Sequence, residues 1–81
     1  TFRHQVKGVE IFQVRQKSLN HLELRLKVNE SFDLIQRKKA ISFIKNKLGE
    51  KMEIEISEVD EFEYSPTGKF KWIVSDLHYN L

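Results

Sequence analysis

Between Leu22 and Val28 the chain alternates strictly, with Leu22, Leu24, Leu26 and Val28 apolar and Glu23, Arg25 and Lys27 charged. That period of two predicts a strand with one dry face and one wet face. Residues 9–16, VEIFQVRQ, are richer in β-branched and aromatic side chains. Val9 and Ile11 fall on one face and Phe12 and Val14 on the other, which predicts a strand covered on both sides. The polar link KSLNH is short enough to join the two as a hairpin. MEIEISEV repeats the alternation, with Met52, Ile54 and Ile56 inward and Glu53, Glu55 and Ser57 outward.

Between the second and third strands the period changes. Ser31 or Asp33 can accept hydrogen bonds from the free N–H groups of a first helical turn. From Asp33 to Leu48 the apolar positions Leu34, Ile41, Ile44 and Leu48 recur near 3.6 residues, and Gly49 supplies a residue able to end the helix. Arg37, Lys38, Lys45 and Lys47 occupy other positions along it, the last two where the helix dipole is negative. The order is β-β-α-β. It predicts an α+β fold, a small two-layer sandwich with a three-stranded sheet in the order 2-1-3 and a right-handed crossover through the helix. The second face of the central strand then needs its own cover, which the chain ends, or a helix before Thr1 in a longer parent, can supply. A C-terminal loop with a short strand or hairpin completes the picture.

Composition narrows the class. Eighty-one residues make one domain, and 40% hydrophobic content with few Gly or Pro excludes a disordered or fibrous chain. No apolar run is long enough to span a bilayer as a helix. The absence of cysteine excludes disulfides and Cys-ligated zinc, and is compatible with a reducing cytoplasm. The chain begins Thr1-Phe2-Arg3, the start expected of a piece of something longer. The net charge of +2 is unevenly spread: residues 50–63 hold seven acids against Lys51, so a polyanion meets repulsion there and nucleic acid is not the favoured partner.

Candidate chemistry is sparse. Ser65-Pro66-Thr67-Gly68 reads as a turn, because Pro presets φ and Gly tolerates the closing position. The flanking arms Phe62/Tyr64 and Phe70/Trp72/Val74 alternate, which predicts a hairpin with Lys69 just past the bend. On residue physics alone Lys69 is the solvated residue after a turn. It does not belong to a nucleotide-binding phosphate loop, since no Gly precedes at the needed spacing and Phe70 stands where Ser or Thr would hold magnesium. His4, His21 and His78 have no metal-binding spacing. Arg37-Lys38-Lys39 reads as a solvated face able to meet a partner or a phosphate, and Phe70 and Trp72 read as packing residues rather than a stacking platform for RNA.

The order of these features nevertheless resembles a known family. GVEIFQVRQ, then LELRLKV, an amphipathic helix closing on Leu48-Gly49, MEIEISEVDEF and finally SPTGKFKWIVSDL are similar to the C-terminal domain of adenylate-forming enzymes. The likeness is greatest to the phenylacetate-coenzyme A ligase branch and the related proteins encoded with capsular polysaccharide genes. It spans residues 8–77. Its most specific parts are Phe12-Gln13-Val14 with Gln16, and Pro66-Thr67-Gly68-Lys69 followed by Phe70-Lys71 and Ser75.

The resemblance implies that the chain is a single domain, residues 1–81, acting as the C-terminal lid of a larger ATP-dependent acyl-adenylating ligase and inert alone. An N-terminal domain of the same chain would hold ATP, magnesium and a carboxylic acid, and coenzyme A would accept the acyl group. Lys69 would be the catalytic loop cation. Gly68 would allow close approach, Ser65, Pro66 and Thr67 would shape the bend, and Lys71, Arg37 and Lys38 would be available to phosphate or partner. Thr67 and Trp72 depart from the wider superfamily, which has Ser or Asn before the Gly and a basic residue three places after the Lys. A second reading, from a different class, is a free-standing α+β module whose basic helix binds an acidic partner or nucleic acid.

Overall fold

The structure, a computed structural model, describes residues 2–76; Thr1, Leu77 and His78 lie outside them. The elements are α1 (Phe2–Gln5), β1 (Val9–Ser18), β2 (His21–Val28), α2 (Leu34–Leu48), β3 (Glu53–Glu58) and β4 (Ile73–Ser75). The predicted α+β class, the two long hairpin strands, the helix and the third strand are all present. The single turn α1, too short to carry a period, was not among the expectations.

The sheet order is β3-β2-β1-β4, which corrects the expected 2-1-3. β1 and β2 are antiparallel, while β2–β3 and β1–β4 are parallel. The crossover through α2 therefore returns β3 to the free edge of β2, its sequence neighbour, instead of stepping over β1. What covers the other edge of β1 is β4, delivered from 55 residues further along the chain by the long segment after β3. The expected five-residue link is also shorter: Ser18 pairs with His21, so only Leu19 and Asn20 make the turn.

Register explains the core. Phe12 pairs with Leu26, Val14 with Leu24, and Leu24 with Ile56, so these side chains line one face. Leu24 and Leu26 are completely enclosed, and α2 packs on that face through Ala40, with Ile41, Phe43 and Ile44 partly buried. Phe2 and Val6, one helical turn apart, close the end of the same core. Burying a Leu or Ile side chain here contributes roughly 1.5–3 kcal/mol before chain entropy is counted.

The helix buries a face shifted from the expected one. Leu34 is 74% exposed and Leu48 54%, because at 3.6 residues per turn they lie about 120° and about 80° round the helix from Ala40. Gln36 and Ala40 are the buried positions. Gln36 accepts the Lys7 backbone N–H at 2.8 Å, tying α2 to the link after α1. Asp33 caps the helix as expected, accepting the Gln36 N–H at 3.0 Å. Gly49 ends it at φ 108° and ψ 154°, a region essentially reserved for glycine.

The opposite face of the sheet was expected to be wet along β2. It is covered instead. Glu23 is buried and Arg25 largely so, beneath the chain that runs from β3 to β4. Arg25 Nη2 donates to the Glu61 carbonyl at 3.0 Å, and Ser57 Oγ donates to Glu23 Oε2 at 2.6 Å. The expectation that a chain end supplies this cover holds for the C-terminal side.

Candidate functional site

The segment crossing the polar face carries the hairpin, with Tyr64 and Phe70 forming an antiparallel bridge. At its tip the Gly68 N–H donates to the Ser65 carbonyl at 2.9 Å, the turn expected from Ser65-Pro66-Thr67-Gly68. Ser65 then holds Lys69 from both sides. Its N–H donates to the Lys69 carbonyl at 2.7 Å, and its Oγ accepts the Lys69 N–H at 3.1 Å. The same hydroxyl lies 3.0 Å from Thr67 Oγ1. The Lys69 backbone is thus fixed by Ser65 at both its N–H and its carbonyl while its side chain stays exposed, and its ammonium enters no ion pair among the described residues.

Gly68 has φ +86°, where an L side chain is strained. A Cβ built there meets nothing within 4 Å among the described residues, so the space on that side of Gly68 is open. Conformation, rather than crowding inside the domain, is what requires glycine at this position.

The hairpin is anchored through Gln13, the polar member of the resemblance segment for which residue physics offered no role. Its amide is fully buried, on the sheet face opposite Phe12 and Val14. Nε2 donates to the Glu63 carbonyl at 3.0 Å and to the Lys71 carbonyl at 2.5 Å, while Oε1 accepts the Glu63 N–H at 3.2 Å. One side chain therefore holds both arms of the hairpin. The Lys71 N–H donates to the Glu63 carbonyl at 3.3 Å, pairing the arms at that same level. A glutamine between Phe12 and Val14, in a strand expected to be covered on both sides, was the sequence signal, since a buried amide must find partners.

Two further groups brace the arms. Arg15, next on the same face of β1, lies 3.6 Å from Glu63 and forks onto Asp76 beyond β4. The hydrogen bond and negative charge of Asp76, reinforced by Glu63, raise its pKa above the ordinary arginine value. On the outer side, a run of aromatic rings continues from the core to the hairpin: Phe43–Phe2 at 5.5 Å, Phe2–Phe12 at 5.3 Å, Phe12–Trp72 at 5.3 Å and Phe70–Trp72 at 4.8 Å. Phe70 also meets Tyr64 edge-on at 5.6 Å. The arms alternate as expected up to Phe70, but Trp72 turns toward Phe12 and residues 73–75 leave the hairpin to pair with β1.

Of the remaining candidates only Lys71 lies on this hairpin. Lys71 is exposed one residue beyond Phe70. Arg37 and Lys38 lie on α2, on the other side of the sheet from the Gln13 clamp. Arg37 is occupied by β3, with Nη2 3.4 Å from the Ile56 carbonyl and Nη1 4.0 Å from Glu58. Lys38 is exposed. His21 contacts Glu55 at 3.1 Å, His4 is exposed, and no three metal-ligating side chains come together among the described residues. No helix among the described residues is long and apolar enough to cross a membrane.

No curated protein and no solved structure matches the chain. One family model does: that of the CapK C-terminal domain, over residues 1–76.

Proposed function

The chain belongs to the CapK C-terminal domain family, and from that premise we propose that it is the C-terminal lid of an ATP-dependent acyl-adenylating ligase, with Lys69 as its catalytic loop cation. A preceding adenylation domain of the same protein binds ATP and a carboxylic acid, and coenzyme A accepts the acyl group. The protein works in the cytoplasm, and residues 1–81 act as one unit that is inactive without that larger domain.

The observation that carries this reading is the contrast within Lys69: its backbone is held at both ends by Ser65 while its side chain is exposed and its ammonium enters no ion pair among the described residues. When a carboxylate attacks the α-phosphate, negative charge redistributes over carboxylate and phosphate oxygens, and an oriented ammonium in a cleft emptied of water stabilises it. Open space around Gly68 leaves the tip free to enter such a cleft.

The described residues fit an anionic nucleotide through Lys69, with Lys71 beside it. They contain no trio of metal-ligating side chains. Magnesium, which neutralises phosphate charge in such reactions, would take its ligands from the phosphates and the adenylation domain.

The test is Lys69→Ala in the full-length protein, read by ATP–pyrophosphate exchange with circular dichroism as a control. Exchange should fall on the order of 10³-fold with the spectrum unchanged. Exchange at the wild-type rate would remove Lys69 from the chemistry.

A further inference from the structure

We propose that Gln13 is the positioning residue of this site: its amide sets the direction in which the hairpin presents Lys69. The inference rests on the reading of Lys69 as the catalytic cation. It goes further by assigning a function to a side chain that touches neither nucleotide nor acid.

Three features converge on Gln13. The first is that its amide uses both of its N–H donors and an acceptor lone pair on the hairpin. Among side chains of this length, only glutamine offers two donors and an acceptor on one rigid plane. Glutamate lacks the donors, leucine and methionine lack all three groups, and asparagine is one methylene too short. The second is placement. The bonds fall on Glu63 and Lys71, flanking the Tyr64–Phe70 bridge on the side away from the tip. A rotation of the hairpin about this point therefore swings the tip through the largest arc. The third is rigidity at the other end: Gln13 sits in the middle of β1, paired with Arg25 of β2 and one residue before the start of the β4 ladder. The clamp thus refers the hairpin to the stiffest part of the sheet.

The amide contributes to stability by satisfying backbone groups of Glu63 and Lys71, and its placement adds a directional constraint. The neighbouring positions on that face, Arg15 and Arg25, reach the covering segment through long, partly exposed side chains. Gln13 is the enclosed contact, and it spans both arms. A misplacement of a catalytic group by about 1 Å can cost on the order of 10²-fold in rate, so a clamp at the hairpin's base is a means of holding that distance.

The test compares Gln13→Leu with Ile56→Val, a core change on β3 remote from the hairpin. In this chain, Gln13→Leu should lower the ¹⁵N heteronuclear NOE of residues 63–71 while the β1–β2 amides keep theirs. Unchanged values would overturn the clamp. In the full-length protein, Gln13→Leu should lower kcat for adenylation on the order of 10²-fold with KM for the acid unchanged, and Ile56→Val should leave kcat alone at a comparable loss of Tm. A kcat equal to wild type, or an equal loss in Ile56→Val, would overturn the positioning role. A hairpin loosened by Gln13→Leu in a protein whose Lys69→Ala variant keeps full exchange would refute the reading of Lys69 and, with it, the catalytic meaning of the clamp.

Discussion

Arg15 lays its guanidinium along the Asp76 carboxylate, with Nε 3.2 Å from both oxygens and Nη2 3.1 Å from Oδ1. The contact joins residues 61 positions apart, at the point where the chain leaves β4. The remaining nitrogen, Nη1, turns to Glu63 in the hairpin arm. One cation thus ties together the start and the end of the excursion that carries Lys69.

Because the Arg15–Asp76 pair is about one-third exposed, its worth is modest. A double-mutant cycle of Arg15→Met and Asp76→Asn, followed by urea unfolding, should give a coupling below about 1 kcal/mol. The coupling should shrink as salt is added. A value unaffected by 1 M salt, a concentration at which the screening length is about 3 Å, would argue against an electrostatic tie.

Gly8 and Gly68 share φ +86° and differ in surroundings, which separates two costs of adding a methyl group. At Gly68 space is open, so Gly68→Ala should cost only the backbone penalty of about 1–2 kcal/mol. At Gly8 the new Cβ would fall against the Phe32 N and the Ser31 carbonyl carbon, the latter at 2.7 Å. Gly8→Ala should therefore destabilise by more than about 3 kcal/mol, since backbone must move. Equal shifts in the urea midpoint for the two variants would show that this close approach is absent in solution.

The face of α2 can be checked by paired substitutions. Leu34→Ala should change stability by less than about 0.5 kcal/mol, as expected of an exposed position. Leu26→Ala, in the enclosed centre of β2, should cost about 3–5 kcal/mol. A large loss at Leu34 would return the helix to the face its apolar periodicity first implied.

Glu55 faces Lys17 at 3.2 Å and His21 at 3.1 Å. The Lys17 hydrogen bond and charge, followed by those of His21, hold its carboxyl below the ordinary glutamate value of 4.5. A depressed folded-state pKa contributes stability that is present above the unfolded value. That stability is lost as pH falls from the ordinary carboxylate range through the lowered one. In a ¹³C NMR titration, Lys17→Met should move the Glu55 midpoint upward; a midpoint that stays put would assign the shift to another cause.

Alternation along β2 and β3, the Asp33 cap and the Ser65–Gly68 turn were legible because each is written in contiguous residues. Pairing was not. A period of two tells which side chains share a face and says nothing about which strand lies alongside, so 2-1-3 and 3-2-1-4 fit the same pattern. The apolar spacing of Leu34 and Leu48 misled because a helical period marks a stripe without saying that the sheet lies against the neighbouring one, which carries Gln36 and Ala40. The exposure of Lys69 followed from the turn. The clamp did not, since the partners of Gln13 lie 50 and 58 positions away and a buried amide announces only that partners exist. The burial of Glu23 was hidden for the same reason: its cover comes from a segment whose path is not local.

Trp72 is the single tryptophan of the chain, and its indole stands between Phe12 of the sheet and Phe70 of the hairpin. The molecule therefore carries an intrinsic fluorophore at the seam between its rigid body and its presenting arm. Emission wavelength and quenching by acrylamide report whether that seam is closed, without any label.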